Sequence, residues 1–172
     1  VRRSGSAIPL EQKICSTRVL ARHVRQLQRQ GGRVVFTNGC FDLLHVGHVT
    51  LLQRARRLGD ALIVAINSDR SVRRLKGTRR PIVPQRDRAK LLAALSSVDY
   101  VTIFDDPTPL TLITVLKPDV LVKGADWKLA GIVGQGVVTK YGGRVVRVPL
   151  VNGYSTTRLI THVRRVARPP LR

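Results

Sequence analysis

The stretch Val34-Val35-Phe36-Thr37-Asn38-Gly39-Cys40-Phe41-Asp42-Leu43-Leu44-His45-Val46-Gly47-His48 decides how the rest of the chain is read. Its first residues, Val34–Thr37, are a short β-branched and apolar run, as expected of a buried strand. Asn38-Gly39 ends that run with turn chemistry. A helix follows from about Gly47 to Leu58, with Val49, Leu52, Ala55 and Leu58 on one face and Gly59 as its stop. Strand, turn and helix in this order form the opening of a β-α-β unit. Such units build parallel sheets whose faces are covered by helices.

The same alternation extends in both directions. Upstream, Ser16 or Thr17 caps a helix with Val19, Leu20, Val24 and Leu27 on its apolar face, ended by Gly31-Gly32. Downstream, a strand at Leu62–Ile66 leads through Asn67, Ser68 and Asp69 into a short basic helix, then a Pro- and Arg-rich loop over 76–86. A helix at Asp87–Ser97, a strand at Tyr100–Phe104, a helix at Pro109–Leu116 and a strand at Val120–Val122 come next. After the loop Lys123–Trp127, a weaker helix ends at Gly142-Gly143, and the strand Val145–Val148 precedes a last helix from Ser155 to about Val166. Pro169-Pro170 cannot continue it. The pattern predicts an α/β fold, a Rossmann-like doubly wound parallel sheet of five strands, in a single domain over 16–166. A loose arm is expected at 1–15 and a tail at 167–172.

Bulk properties narrow the function. The 172 residues suit one domain, and 43% hydrophobic residues suffice for a core. No apolar run approaches the ~18 residues a membrane span needs. The basic start Val1-Arg2-Arg3 lacks an apolar export core, so a cytoplasmic location with Cys15 and Cys40 reduced is expected. Lys and Arg number 31 against 10 acids, a formal charge of +21. That balance favours polyanionic partners: nucleic acid, an anionic membrane or phosphorylated small molecules. Nucleic acid is the disfavoured choice, because three Phe, three Tyr and one Trp offer few stacking platforms. An Arg-rich solvated surface is the bland alternative.

In a doubly wound sheet, ligands bind beyond the carboxyl ends of the strands, so the loops behind strands carry the candidates. His45 and His48 stand at i, i+3 at a helix N-terminus, where free N–H groups and the helix dipole attract anions. Gly47 between them admits a phosphate close to the backbone. Two imidazoles there can donate to phosphate oxygens, more strongly when protonated. They could instead ligate a metal, with Asp42 the nearest third candidate, or simply cap the helix; no metal site is assigned. Ser155-Thr156-Thr157 opens the last helix with three hydroxyls, either a second phosphate cradle or an ordinary cap. Lys123-Gly124-Ala125-Asp126-Trp127 puts a lysine at a strand's end, suited to a phosphate or simply solvated, and Trp127 is either a base or sugar platform or an anchor. Lys76-Gly77-Thr78-Arg79-Arg80, with Arg86 and Arg88, reads as a mobile cationic flap or a solvated loop. Walker-type and GxGxxG patterns are absent.

From about Arg33 to Arg164 these residues resemble the cytidylyltransferase-like family of nucleotidylyltransferases, on the HxGH at His45–His48 and the Ser-Thr-Thr helix start at Ser155–Thr157. Phe36–His48, Leu75–Pro81 and Leu121–Trp127 look closest to the branch that adenylylates D-glycero-β-D-manno-heptose 1-phosphate, in its stand-alone form rather than fused to a heptose kinase. Leu150-Val151-Asn152-Gly153 stands where cytidylyltransferases for glycerol 3-phosphate or phosphoethanolamine typically carry Arg-Thr-x-Gly. That departure favours ATP, with CTP and an alcohol phosphate as the alternative.

The resemblance implies roles. His45, His48 and Lys123 would be catalytic, stabilising charge on the phosphates. Thr37, Asn38, Gly39, Phe41, Gly47, Gly124, Asp126, Ser155, Thr156 and Thr157 would bind nucleotide, with Arg80 or Arg88 closing over it. Asp42, Asn67, Lys76 and Trp127 would meet the sugar phosphate, although Asp42 could equally orient a histidine. Mg2+ would be carried mainly by the ATP phosphates, and the protein would be a homodimer.

Overall fold

A computed structural model describes residues 8–167. Five parallel strands run β1 Val34–Gly39, β2 Ala61–Asn67, β3 Tyr100–Phe104, β4 Val120–Gly124 and β5 Arg144–Val148, in the order β3-β2-β1-β4-β5. From β1 the chain winds outward through β2 to β3, then crosses back to place β4 against the other side of β1. Strand order therefore reverses between β1 and β4, where Val35 pairs with Val120 and Thr37 with Val122.

Alternation along the strands buries both faces. Val35, Leu62, Val64, Ile66, Val101, Val120 and Val122 point to one side. There they meet Leu52 and Ala55 of α3 (Val46–Arg56) and Ala89, Leu92 and Ala93 of α5 (Gln85–Ala93). Val34, Phe36, Ile63, Ala65 and Leu121 point to the other. They pack on α2 (Thr17–Arg29), α6 (Leu110–Leu116) and α7 (Gln135–Lys140) through Leu20, Val24, Ile113, Leu116 and Val138. All seven residues of β2 are buried, as a central strand covered twice requires. Two further helices, α4 (Asp69–Lys76) and α8 (Thr156–Val166), start directly behind β2 and β5. No helix among the described residues is long and apolar enough to cross a membrane.

The expected elements form, with ends shifted by a few residues. Of the two cap candidates for α2, Ser16 accepts the Val19 N–H, and Gly31 ends the turn in left-handed backbone (φ 78°). The helix expected at Asp87–Ser97 runs instead from Gln85 to Ala93, because Pro84 presets its entry.

The expected loose arm needs correction over its described part. Residues 10–13 form the short helix α1 (Leu10–Lys13), Ile14 bridges to Val101, and Lys13 Nζ donates to the Val98 carbonyl at 2.8 Å. A segment without hydrophobic period is thus held by backbone pairing along β3. Residues 1–7 of the arm, and all of the tail except Ala167, lie outside the described residues.

Candidate active site

Where strand order reverses, the loops behind the strands enclose a cleft of about 600 Å3. Thr37, Asn38, Gly39, Phe41, Asp42, His45, Gly47, His48, Asn67, Lys76, Arg80, Lys123, Gly124, Asp126, Trp127, Ser155, Thr156 and Thr157 all line it. Of the residues to which the resemblance gave a role, only Arg88 stands apart; Arg79 and Arg86 of the cationic segment do not line the cleft either.

The loop from β1 to α3 is shaped by an unusual turn. Phe41 holds left-handed backbone (φ 47°), uncommon for a bulky residue and a form of strain found at functional sites. This turn sets its ring 5.1 Å from that of His48. It also brings the Phe41 ring so near Gly39 that a Cβ there would lie 3.1 Å from it. Gly39 is needed for that close approach.

His45 is the N-cap of α3, in extended backbone, with no side-chain cap bond. The first-turn N–H groups of Val46 and Gly47 therefore have no intrahelical acceptor and open onto the cleft end of the helix. The rings of His45 and His48 stack with centroids 3.8 Å apart. A Cβ on Gly47 would lie 3.0 Å from the His45 ring, so this glycine makes room for the imidazole itself. Burial lowers the pKa of both histidines; for His48 burial acts first, then the neighbouring His45, against a backbone hydrogen bond at Leu43, and the result is about 4. Of the two forms considered from the sequence, neutral or protonated, a pKa of about 4 favours the neutral ring for His48 at neutral pH.

Lys123 sits at the end of β4. Its Nζ donates to the Asn38 carbonyl at 3.2 Å and lies 5.5 Å from the Trp127 ring centroid. Burial pulls its pKa down to about 8, against the opposing charges of Asp126 and Cys40. Lys123 thus ties β4 to the turn of β1 across the switch point. At the third loop, Ser155 caps α8 by accepting the Arg158 N–H at 3.2 Å. That is the ordinary cap function; its hydroxyl hydrogen and the hydroxyls of Thr156 and Thr157 remain to face an anion.

Two expectations change. Arg88, expected to close over phosphates, is 0% exposed. It donates to the carbonyls of Val83, Cys40 and Asn67 and pairs with Asp69 at 2.7 Å. Its guanidinium fork ties three loops together and is fully occupied in doing so. Asp42 makes no hydrogen bond to either histidine. It is 1% exposed, pairs with Arg80 Nε, and accepts the N–H groups of Ile82 and Val83 at 2.8 and 2.9 Å. The supposed mobile flap is therefore anchored at 80–83, with the Arg80 side chain held at the cleft wall.

The sequence reading missed Cys40, Phe104, Thr108 and Tyr154, which also line the cleft. Phe104 ends β3 and Thr108 follows it, so the rule that selects loops behind strands reaches them. They passed unnoticed because they carry neither charge nor a phosphate motif. Tyr154 was hidden beside the Ser-Thr-Thr that follows it.

Residues 36–162 match the family model described as cytidylyltransferase-like. The chain is 56% identical over 151 residues to the bifunctional protein HldE of Geobacter sulfurreducens, covering 88% of this chain and 31% of that one. It is 53% identical over 158 residues to the bifunctional protein HldE of Koribacter versatilis, covering 91% and 32%. The chain thus spans about a third of the length of these relatives. Among solved structures it resembles the lipopolysaccharide core biosynthesis protein of Thermoplasma volcanium, with a TM-score of 0.59 and 30% identity over 73% of this chain and 100% of that one. With the stacked histidines at the switch point and the hydroxyl-rich helix start facing them, this chain belongs to the cytidylyltransferase-like family of nucleotidyltransferases.

Proposed function

We propose that the chain transfers AMP from ATP to D-glycero-β-D-manno-heptose 1-phosphate, releasing ADP-heptose and pyrophosphate. The observation that carries this reading is the convergence of two helix N-termini, α3 and α8, and Lys123 on one cleft, beside the identity to the HldE proteins. A triphosphate laid across the switch point meets free N–H groups, hydroxyls and a lysine ammonium. A phosphate oxygen of the sugar attacks the α-phosphorus in line, and the bond to the β-phosphate bridging oxygen breaks. The attacking oxygen is already ionised, so no general base is required, and catalysis rests on positioning and charge stabilisation. His45 and His48 donate hydrogen bonds to oxygens whose charge grows in the transition state. Arg80, steadied by Asp42, contributes a fixed cation, and Lys76, Asn67 and Trp127 border the acceptor.

Among the described residues, no cluster of three or more His, Cys, Asp or Glu is arranged to hold a metal ion. Asp42 and Asp126 are the carboxylates that line the cleft, and the oxygens of Asp42 are engaged by Arg80, Ile82 and Val83. This donor set fits Mg2+ arriving on the triphosphate with few protein ligands. Bound there, the ion would neutralise phosphate charge. The proposal also takes the protein to be a cytoplasmic homodimer.

The test is pyrophosphate release from ATP, CTP, GTP and UTP, each with heptose 1-phosphate, glycerol 3-phosphate and phosphoethanolamine. Turnover with ATP and the heptose alone is expected. Preference for CTP with an alcohol phosphate would overturn the choice of base and acceptor. A salt-dependent gel shift at physiological ionic strength, without pyrophosphate release, would replace the enzyme reading with nucleic-acid binding.

A pH profile tests Lys123. Its pKa in the free protein is depressed to about 8, so the ammonium is present below that pH and lost above it. kcat/KM is expected to fall as pH rises through about 8, since it reports the free enzyme. Lys123→Arg, permanently charged, should remove that alkaline limb even where its rate is lower. An unchanged limb in Lys123→Arg would assign the ionisation elsewhere.

A further inference from the structure

Catalytic histidines are usually held in place by a hydrogen bond from one ring nitrogen to a carboxylate or carbonyl. For His45 that device is missing: its Nδ1 is buried with no hydrogen-bond partner among the described residues, as is Nδ1 of His48, which keeps a backbone hydrogen bond at Leu43. Asp42, the nearest acid in sequence, is committed to Arg80, Ile82 and Val83. What surrounds His45 instead is rings. His48 lies on it at 3.8 Å and 21°. The Tyr154 ring is near-parallel to His45, at 26° with centroids 6.5 Å apart. Phe41 closes the far end beyond His48. Four rings, Phe41, His48, His45 and Tyr154, thus form a column from the β1 turn to the start of α8. Gly47 leaves the space it needs: a Cβ there would lie 3.0 Å from the His45 ring and 3.4 Å from the Tyr154 Cβ.

We infer that Tyr154 is a positioning residue, whose ring holds the His45 imidazole in its working orientation and couples it to the Ser155–Thr157 helix start. Aromatic pairs at 4.5–7 Å attract through their quadrupoles and restrict each other's rotation. His45 is the outer ring of the histidine pair, and without Tyr154 one of its neighbours is gone. Tyr154 directly precedes Ser155, the cap of α8, so a shift of that cap is transmitted to His45. The role belongs to the ring plane; the hydroxyl has no part in it. The inference rests on the nucleotidyl-transfer reading for its kinetic arm only.

The experiment compares Tyr154→Ala and Tyr154→Phe in the full chain. Tyr154 is about half exposed (49%), so both variants are expected to fold, and circular dichroism checks this. In Tyr154→Ala, kcat should fall roughly tenfold or more while KM for ATP changes less than about threefold, the signature of a misplaced transition-state contact. Tyr154→Phe should restore kcat to within about threefold of the parent. The second readout needs no substrate: the His45 imidazole C–H resonances should move in Tyr154→Ala, which removes one of the two rings beside them, and stay in place in Tyr154→Phe. Loss confined to KM, or equal loss of kcat in both variants, would make Tyr154 a ligand contact through its hydroxyl and overturn the inference. An unchanged His45 spectrum in Tyr154→Ala would overturn it whatever the enzyme's substrate proves to be.

Discussion

His48→Ala is expected to lower kcat by roughly 10²–10³-fold, the usual effect of removing one donor aimed at growing transition-state charge. KM for ATP should change far less, because the triphosphate keeps the α3 and α8 N-termini and Lys123. The same substitution has a second, independent consequence. The folded pKa of His48 is depressed to about 4 from an ordinary 6.5, chiefly by burial. A depressed pKa means the neutral ring contributes stability that is fully present above about 6.5 and lost as pH falls through about 4. That loss amounts to something on the order of 3 kcal/mol at full protonation. His48→Ala should therefore flatten the fall in stability between pH 6.5 and 4, read by denaturant melts across that window. Near-normal turnover in the variant would remove His48 from the mechanism. An acid profile identical to the parent's would show that its burial in the free protein is less than the geometry implies.

Arg88→Leu is the substitution expected to cost the most stability. The side chain is fully buried and its guanidinium serves Val83, Cys40, Asn67 and Asp69. Leucine fills part of the volume but strands three carbonyls and a carboxylate. Removing one partner of a buried ionic network costs about 3–5 kcal/mol. In a domain of this size that is a fall in Tm on the order of 10 °C. Arg80→Leu makes the comparison: its side chain is 17% exposed and lies at the cleft wall, so Tm should move much less while turnover suffers. Equal thermal shifts in the two variants would contradict the division drawn between a structural and a cleft-facing arginine.

The two arginines show where sequence reading stops. Arg80 lies in the Pro- and Arg-rich loop over 76–86, whereas Arg88 lies just inside the helix expected at Asp87–Ser97. Arg88 falls on the inner face of α5 beside Ala89, Leu92 and Ala93, a position visible in the helical period once the helix start is known. An arginine's charge argues against that inner position, and only the carbonyls and the carboxylate that meet Arg88 in the folded chain make it tenable. Asp42 is a similar case. Its proximity to His45 in sequence suggested contact, yet its carboxylate turns toward residues 40 and 41 positions away, because the N–H groups of Ile82 and Val83 meet it there.

The sequence by itself determined the alternation of strands and helices, the parallel sheet, and the three loops that carry the residues proposed to meet phosphate. These are local properties: apolar period, turn residues and helix caps depend on near neighbours along the chain. Only the tertiary structure decided that Arg88 is a buried cross-link, that Asp42 anchors residues 80–83, that burial lowers the pKa of His48, and that Tyr154 completes a column of rings. Each depends on burial and on partners far apart in sequence. The cost of desolvating a charge, and the group that offsets it, exist only once the chain has folded.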